Sequence, residues 1–140
     1  MSPQTTKNEL SPPTKQNKVL CYYANVDWYF ELHWLPRAQT AVAEGWTVHL
    51  ICGVTSEKTI NAIKKVGVEC HAAPVVRTSV NPLVLLRTTL CVARIIRKIR
   101  PDIIHCITTV ANMTGGVGSS IFKIPLIMTV PGTGWVFSSS

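Results

Sequence analysis

A carboxylate followed by three aromatic rings, Asp27-Trp28-Tyr29-Phe30, is the segment of this 140-residue chain best equipped to hold a polar ligand. Aromatic faces beside a carboxylate suit a sugar or a nucleobase, and a carboxylate can orient or deprotonate a hydroxyl. The bland use of the same residues is a covering loop in which Asp27 caps a turn. Two imidazoles, His33 and His105, could handle protons, or could sit as a surface ring and a strand residue bonded to backbone. Thr108, Thr109 and Asn112 add hydroxyl and amide groups a few residues after His105. Gly132-Thr133-Gly134 could present backbone N–H groups to a phosphate oxygen, or make an ordinary turn. Gly115, Gly116 and Gly118 do not follow a strand directly, so they read as close-packing positions rather than a phosphate cradle.

These residues need elements to position them. Lys18–Ala24 is a continuous apolar run, the pattern of a strand buried on both faces. A helix over Leu32–Glu44 ends at Gly45, and a second strand spans Trp46–Cys52. Ser56 caps a helix whose Ile60, Ile63 and Val66 share a face, and Gly67 stops it before a strand over Val68–Ala73. Asn81-Pro82 pairs an N-cap with proline at the first helical position; that helix runs to about Arg100, where Pro101 ends it. A strand over Ile103–Ile107, a helix over Asn112–Phe122 and a strand over Pro125–Val130 follow.

Strands alternating with helices imply parallel βαβ units in one open, Rossmann-like α/β domain with helices on both faces. The expected strand order is 3-2-1-4-5, and no covering helix follows the fifth strand, so the domain reads as incomplete at its C-terminus. Ligands of such sheets bind beyond the carboxyl ends of the strands, where the order reverses. That crevice would be walled by Asn25–Leu32 and Thr108–Asn112, gathering Asp27, Trp28, His33, Thr108, Thr109 and Asn112, with Pro131–Trp135 nearby.

The formal net charge is +7, which suits an anionic partner: nucleic acid, phosphorylated substrate or membrane surface. On the Asn81 helix, Val84, Leu85, Val92, Ile95, Ile96 and Ile99 form the face expected to meet the sheet. The opposite face mixes Leu83, Leu86 and Leu90 with Arg87, Arg94, Arg97 and Lys98, as an anionic membrane interface requires. The same leucines could instead meet the 73–81 loop or another chain. No apolar run approaches the roughly 18 residues of a membrane span, and Met1–Asn17 lacks the apolar core of a secretory signal and reads as a disordered polar tail. The five cysteines include no Cys-x-x-Cys pair and four lie in strand-like runs, which favours small buried thiols in a reducing cytoplasm over metal or disulfide chemistry.

From Lys18 to Ser140 the chain resembles the N-terminal domain of family 4 glycosyltransferases of GT-B architecture, nearest to those that extend bacterial lipid-linked or surface polysaccharides. The resemblance rests on six segments in order: Asn25-Val26-Asp27-Trp28 with His33-Trp34-Leu35-Pro36, Gly45-Trp46-Thr47-Val48, Arg77-Thr78-Ser79-Val80-Asn81-Pro82, Arg100-Pro101-Asp102-Ile103-Ile104-His105, and Pro131-Gly132-Thr133-Gly134-Trp135-Val136-Phe137. It implies retaining transfer of a sugar from a nucleotide-sugar to a glycan or lipid-linked acceptor, with no metal and no cofactor. In the family the N-terminal domain mostly binds acceptor, and a C-terminal domain with a paired-glutamate motif holds the donor. That motif does not occur here, so this polypeptide alone is expected to be inactive, working at the cytoplasmic face of a membrane once joined to its donor domain. The implied roles are Asp27 and His105 as catalytic groups, Asn25, Trp28, His33, Thr108, Thr109 and Asn112 on acceptor or sugar, and Gly132, Thr133 and Gly134 on phosphate. Where many relatives carry a histidine and a lysine after His105, this chain has Ile107 and Val110, which removes the usual cation of that loop. Two other readings share the architecture: a freestanding nucleotide- or phosphate-binding module, and the front half of a sugar-nucleotide epimerase.

Overall fold

The computed structural model describes residues 18–74 and 81–130. Nine elements follow one another: β1 (Val19–Val26), α1 (Asp27–Ala43), β2 (Thr47–Gly53), α2 (Glu57–Lys65), β3 (Val68–Ala72), α3 (Pro82–Ile99), β4 (Ile103–Cys106), α4 (Thr109–Phe122) and β5 (Leu126–Met128). The strands form one sheet in the order β3-β2-β1-β4-β5, every neighbouring pair parallel. The expected order, strand directions and alternation therefore hold. The polar tail, the Arg77–Val80 part of the Arg77–Pro82 segment and the Gly132–Gly134 turn lie outside the described residues.

Each face of the sheet has its own core, because successive strand residues point to opposite sides. Tyr22, Ala24, Val48, Leu50 and Cys52 meet Phe30 and Ala38 of α1 and Ile60 and Ile63 of α2. Cys21, Tyr23, Ile51, Ile104 and Cys106 meet Val92 and Ile96 of α3 and Ala111 of α4. All five cysteines are free, and burial pushes the Cys106 and Cys52 thiols up to about 12, so they pack as apolar side chains.

Three sequence expectations need correction. Helix α1 starts at Asp27, five residues before Leu32, so there is no Asn25–Leu32 loop: Val26 is still extended (φ −137°, ψ 151°) and the chain turns directly into helix. The inward stripe is Asp27, Phe30, Trp34 and Ala38, and its first member is a carboxylate, which hides the period from a count of apolar residues. Helix α4 likewise starts at Thr109 rather than Asn112. On α3 the buried stripe is Thr88, Val92 and Ile96, with Leu85, Ile95 and Ile99 half-buried; Val84, in the first turn, is exposed rather than on the sheet. Thr88 joins a buried face because its hydroxyl donates back to the Val84 carbonyl at 2.9 Å.

Of the three α4 glycines, Gly115 and Gly118 are packing positions, while Gly116 is not: a Cβ there would meet only Leu126 Cδ2, at 3.8 Å. A Cβ on Gly115 would run into the Cys106 sulfur and stand 3.0 Å from the Tyr23 ring, and one on Gly118 would stand 2.9 Å from Ile96 Cδ1. Close approach of α4 to β1 and β4 thus requires glycine at 115, whereas at 118 the end of the flexible Ile96 side chain can shift to make room. Asn81 caps α3 as its type suggests, accepting the Leu83 N–H at 3.0 Å.

Candidate functional site at the carboxyl edge of the sheet

The strand order reverses where β1 lies between β2 and β4, and the carboxyl ends of β1, β4 and β5 frame the opening. The side chains of His105, Thr129 and Asn112 meet there, with Thr108 beside them. His105 Nε2 lies 2.8 Å from Thr129 Oγ1, just past β5, and Asn112 Nδ2 donates to the Thr129 carbonyl at 3.2 Å. The Asn112 backbone N–H bonds the Thr108 carbonyl at 2.7 Å, in the first turn of α4. Thr108 is the extended residue before that helix (φ −119°, ψ 165°), but its side chain does not cap it. Thr108 Oγ1 and Asn112 Oδ1 are buried without a hydrogen-bond partner among the described residues. Two such oxygens beside a helix N-terminus form a place where a ligand hydroxyl or amide would gain bonds.

On the α1 side, Trp34 meets the His105 ring edge-on at 4.8 Å, Tyr22 lies 5.5 Å from it, and the Arg37 guanidinium covers Trp34 at 4.6 Å. Burial first, and the Arg37 charge second, hold the His105 pKa below its ordinary 6.5. His105 is therefore a neutral imidazole at pH 7, able to donate at one nitrogen and accept at the other. Trp34, Arg37 and Thr129 were not singled out from sequence. The first two are three apart on one helix face, a spacing already present in the helix read over Leu32–Glu44.

Asp27 does not belong to this network. Its carboxylate is fully buried and turns toward β2: Oδ1 accepts the Thr55 hydroxyl at 2.6 Å and the Trp28 N–H at 2.8 Å, while Oδ2 accepts the Thr55 and Ser56 N–H groups at 2.9 and 3.2 Å. Burial raises its pKa, but the four donors outweigh burial and hold it below the usual carboxylate range. With both oxygens committed, Asp27 ties the start of α1 to the start of α2. Ser56 contributes its backbone N–H to that joint, not a side-chain cap.

The remaining candidates spread around the opening. Asn25 is half-buried where the β1–β2 register shifts between Tyr23 and Val26. Trp28 is exposed in the first turn of α1, its ring edge-on to Tyr29, which in turn lies 4.6 Å from exposed His33. Thr109 is exposed at the first position of α4. Among the described residues, no three His, Cys, Asp or Glu side chains are placed to hold a metal ion. On α3, Leu83, Leu86 and Leu90 are 74%, 56% and 50% exposed, and with Pro74, Arg87, Cys91 and Arg94 they line an open groove. Arg97 and Lys98 are exposed in the last turn, where they also complement the helix dipole.

A family model described as glycosyl transferase 4-like matches residues 19–139, nearly the whole chain. The chain belongs to the glycosyl transferase 4-like family. Similar solved structures of glycosyltransferases include MurG from Acinetobacter baumannii, 15% identical with a TM-score of 0.65, where the match covers 81% of this chain and 35% of that one. A glycosyltransferase from Rickettsia africae ESF-5 is 16% identical with a TM-score of 0.61, covering 81% of this chain and 29% of that one. This 4-like chain thus spans about a third of the length of the glycosyltransferases it matches. The same sheet also occurs in Dbv21, a deacetylase of the A40926 pseudoaglycone, 10% identical with a TM-score of 0.71 over 89% of this chain and 67% of that one. The fold is therefore common to transferases and deacetylases, and the family match rather than the sheet distinguishes them. No curated protein sequence matches this 4-like chain.

Proposed function

We propose that this chain is the acceptor-side domain of a retaining glycosyltransferase that moves a sugar from a nucleotide-sugar to a glycan or lipid-linked acceptor. The observation that carries the reading is the His105–Thr129–Asn112–Thr108 network, at the strand reversal of a glycosyl transferase 4-like domain, with two buried oxygens unpartnered. Neutral His105 would contact the reacting sugar, and Thr108 and Asn112 would take hydroxyl donors of the acceptor. The transition state is oxocarbenium-like with a departing diphosphate. Cations and backbone amides would be needed beside that diphosphate, and a second, donor-binding domain would supply them together with the nucleotide site. An apolar strip on α4 favours contact with further polypeptide: α4 carries no charged residue, and exposed Met113, Val117 and Ile121 run at four-residue spacing, with Met128 of β5 also exposed. The test is turnover by the chain joined to a donor domain, read as nucleoside diphosphate release from a panel of nucleotide-sugars. His105→Ala and Asn112→Ala should each lower kcat/KM by about tenfold or more. Unchanged kinetics in both well-folded variants would remove the network from the reaction.

The exposed leucines beside Arg87 and Arg94 favour peripheral contact with an anionic membrane, where a lipid-linked acceptor resides. No helix of the described residues is long and apolar enough to cross a membrane. The chain should co-sediment with phosphatidylglycerol vesicles and be released by salt. Arg87→Glu/Arg94→Glu should weaken binding about tenfold or more, at roughly 1 kcal/mol per basic residue lost. Equal binding by both proteins would refute the membrane face.

A further inference from the structure

Far from that opening, on the α3 face of the sheet, two imidazoles meet across β2 and the edge strand β3. In the parallel register His49 pairs with Glu69 and Ile51 with His71, so all four side chains project from the same face. His49 Nδ1 and His71 Nε2 are 2.9 Å apart. The ring centroids are 5.2 Å apart and the planes only 28° from parallel. Centroids and nitrogens separated by those amounts require the rings to meet nearly end to end, each lone-pair direction aimed at the other ring, rather than face to face. Such a contact is an N–H···N hydrogen bond, which holds one proton in the gap. It offers no vertex for a metal, since each nitrogen would face its partner rather than a shared ion.

We propose that the His49–His71 pair is a one-proton latch that ties edge strand β3 to β2 and releases it in acid. The proton count sets the behaviour. With both rings neutral, one nitrogen donates and the other accepts. One added proton goes to an outer nitrogen and leaves the bridging proton in place, as an imidazolium–imidazole bond. A second added proton puts N–H against N–H and breaks the contact, with two like charges across the gap. The charged groups that act on the pair have opposite effects. Glu69, whose Oε2 is 3.4 Å from His49 Nδ1 but which is largely exposed, favours protonation; Lys98 of α3 disfavours it at His71. Burial is the larger influence on both rings and keeps both pKa values below the ordinary 6.5.

The sign follows from linkage. Both folded-state pKa values are depressed, so the latch's contribution is fully present above about pH 6.5 and is lost as pH falls through the lowered values. An opened β3 exposes two ordinary imidazoles and takes up protons that the closed form refuses. Between pH 7.5 and 5.5 the opening constant should rise, by up to about tenfold for each proton taken up and so by up to about 100-fold for two. The single-proton slope marks a closed pair that already shares an extra proton.

The experiment is amide hydrogen exchange of the whole chain, corrected for intrinsic rates, comparing Glu69–Ala72 in β3 with Leu20–Tyr23 in β1. The expected result is a several-fold loss of β3 protection across that interval while β1 changes less. In His71→Gln only His49 remains to titrate, so the pH response of β3 protection should be smaller than in the wild type. His49→Gln is the second variant, should His71→Gln fold poorly, and should reduce the response in the same way, with His71 left to titrate alone. Protection of β3 that changes less than twofold in the wild type overturns the latch, as does an equal pH response in either variant. Because β1 carries the global unfolding signal, titration of His105 elsewhere in the fold cannot imitate a loss confined to β3.

Discussion

Replacing Asp27 by asparagine tests whether this residue builds the fold or acts on a substrate. The carboxylate accepts four hydrogen bonds in a site closed to solvent, and two of them reach across from α1 to the backbone N–H groups of Thr55 and Ser56. Asparagine keeps one acceptor oxygen and gains an NH₂ group. The less costly orientation leaves the oxygen facing Thr55 and Ser56 and puts the NH₂ toward the Thr55 hydroxyl, which can reverse and accept it. The Trp28 N–H then faces another donor, and an orphaned buried N–H costs about 1–3 kcal/mol. The two retained backbone bonds lose the strength of an ionised acceptor, a smaller further loss. The expected loss is therefore about 2–4 kcal/mol in urea unfolding, a large share of the stability of a domain this size. Wild-type stability should also fall in acid. The depressed Asp27 pKa gives a contribution that is complete above the ordinary value near 3.9 and disappears as pH drops through the lowered one. Asp27→Asn should lack that dependence. A variant that loses less than about 0.5 kcal/mol, within the range of ordinary surface substitutions, would refute the joint between α1 and α2.

Two further predictions concern backbone sites on α4. Gly115→Ala should destabilise by about 1–3 kcal/mol before a gain of up to about 1 kcal/mol in helix propensity, because its methyl meets the Cys106 sulfur and the Tyr23 ring. Gly116→Ala, whose methyl would find only Leu126 Cδ2 at 3.8 Å, should stabilise by about 0.5–1 kcal/mol; equal stabilities in urea for the two variants would contradict the packing account. Lys123 ends α4 in the left-handed conformation (φ 53°), which costs a side chain about 1–2 kcal/mol, so Lys123→Gly should raise the melting temperature by a few degrees rather than lower it.

The chain's own order of residues determines the class of fold and the strand sequence of the sheet. Continuous apolar runs at β1, β2 and β4, glycines after α1 and α2, and Asn81-Pro82 before α3 are local signals, each produced by backbone or burial physics that acts within a few residues. Right-handed crossovers then leave few ways to arrange five parallel strands. What the tertiary structure alone decided is where polar side chains turn. Asp27 and His105 flank the same reversal point in sequence order, yet Asp27 is drawn to three donors at Thr55 and Ser56, while His105 is drawn to Thr129 past β5. Those partners lie 28, 29 and 24 residues away, beyond the reach of any helical or strand period. The His49–His71 contact is hidden for the same reason: it depends on a diagonal between two strands, set by the register of β2 against β3. A buried polar group takes the partner that satisfies it, and only the packed chain brings those partners within hydrogen-bonding distance.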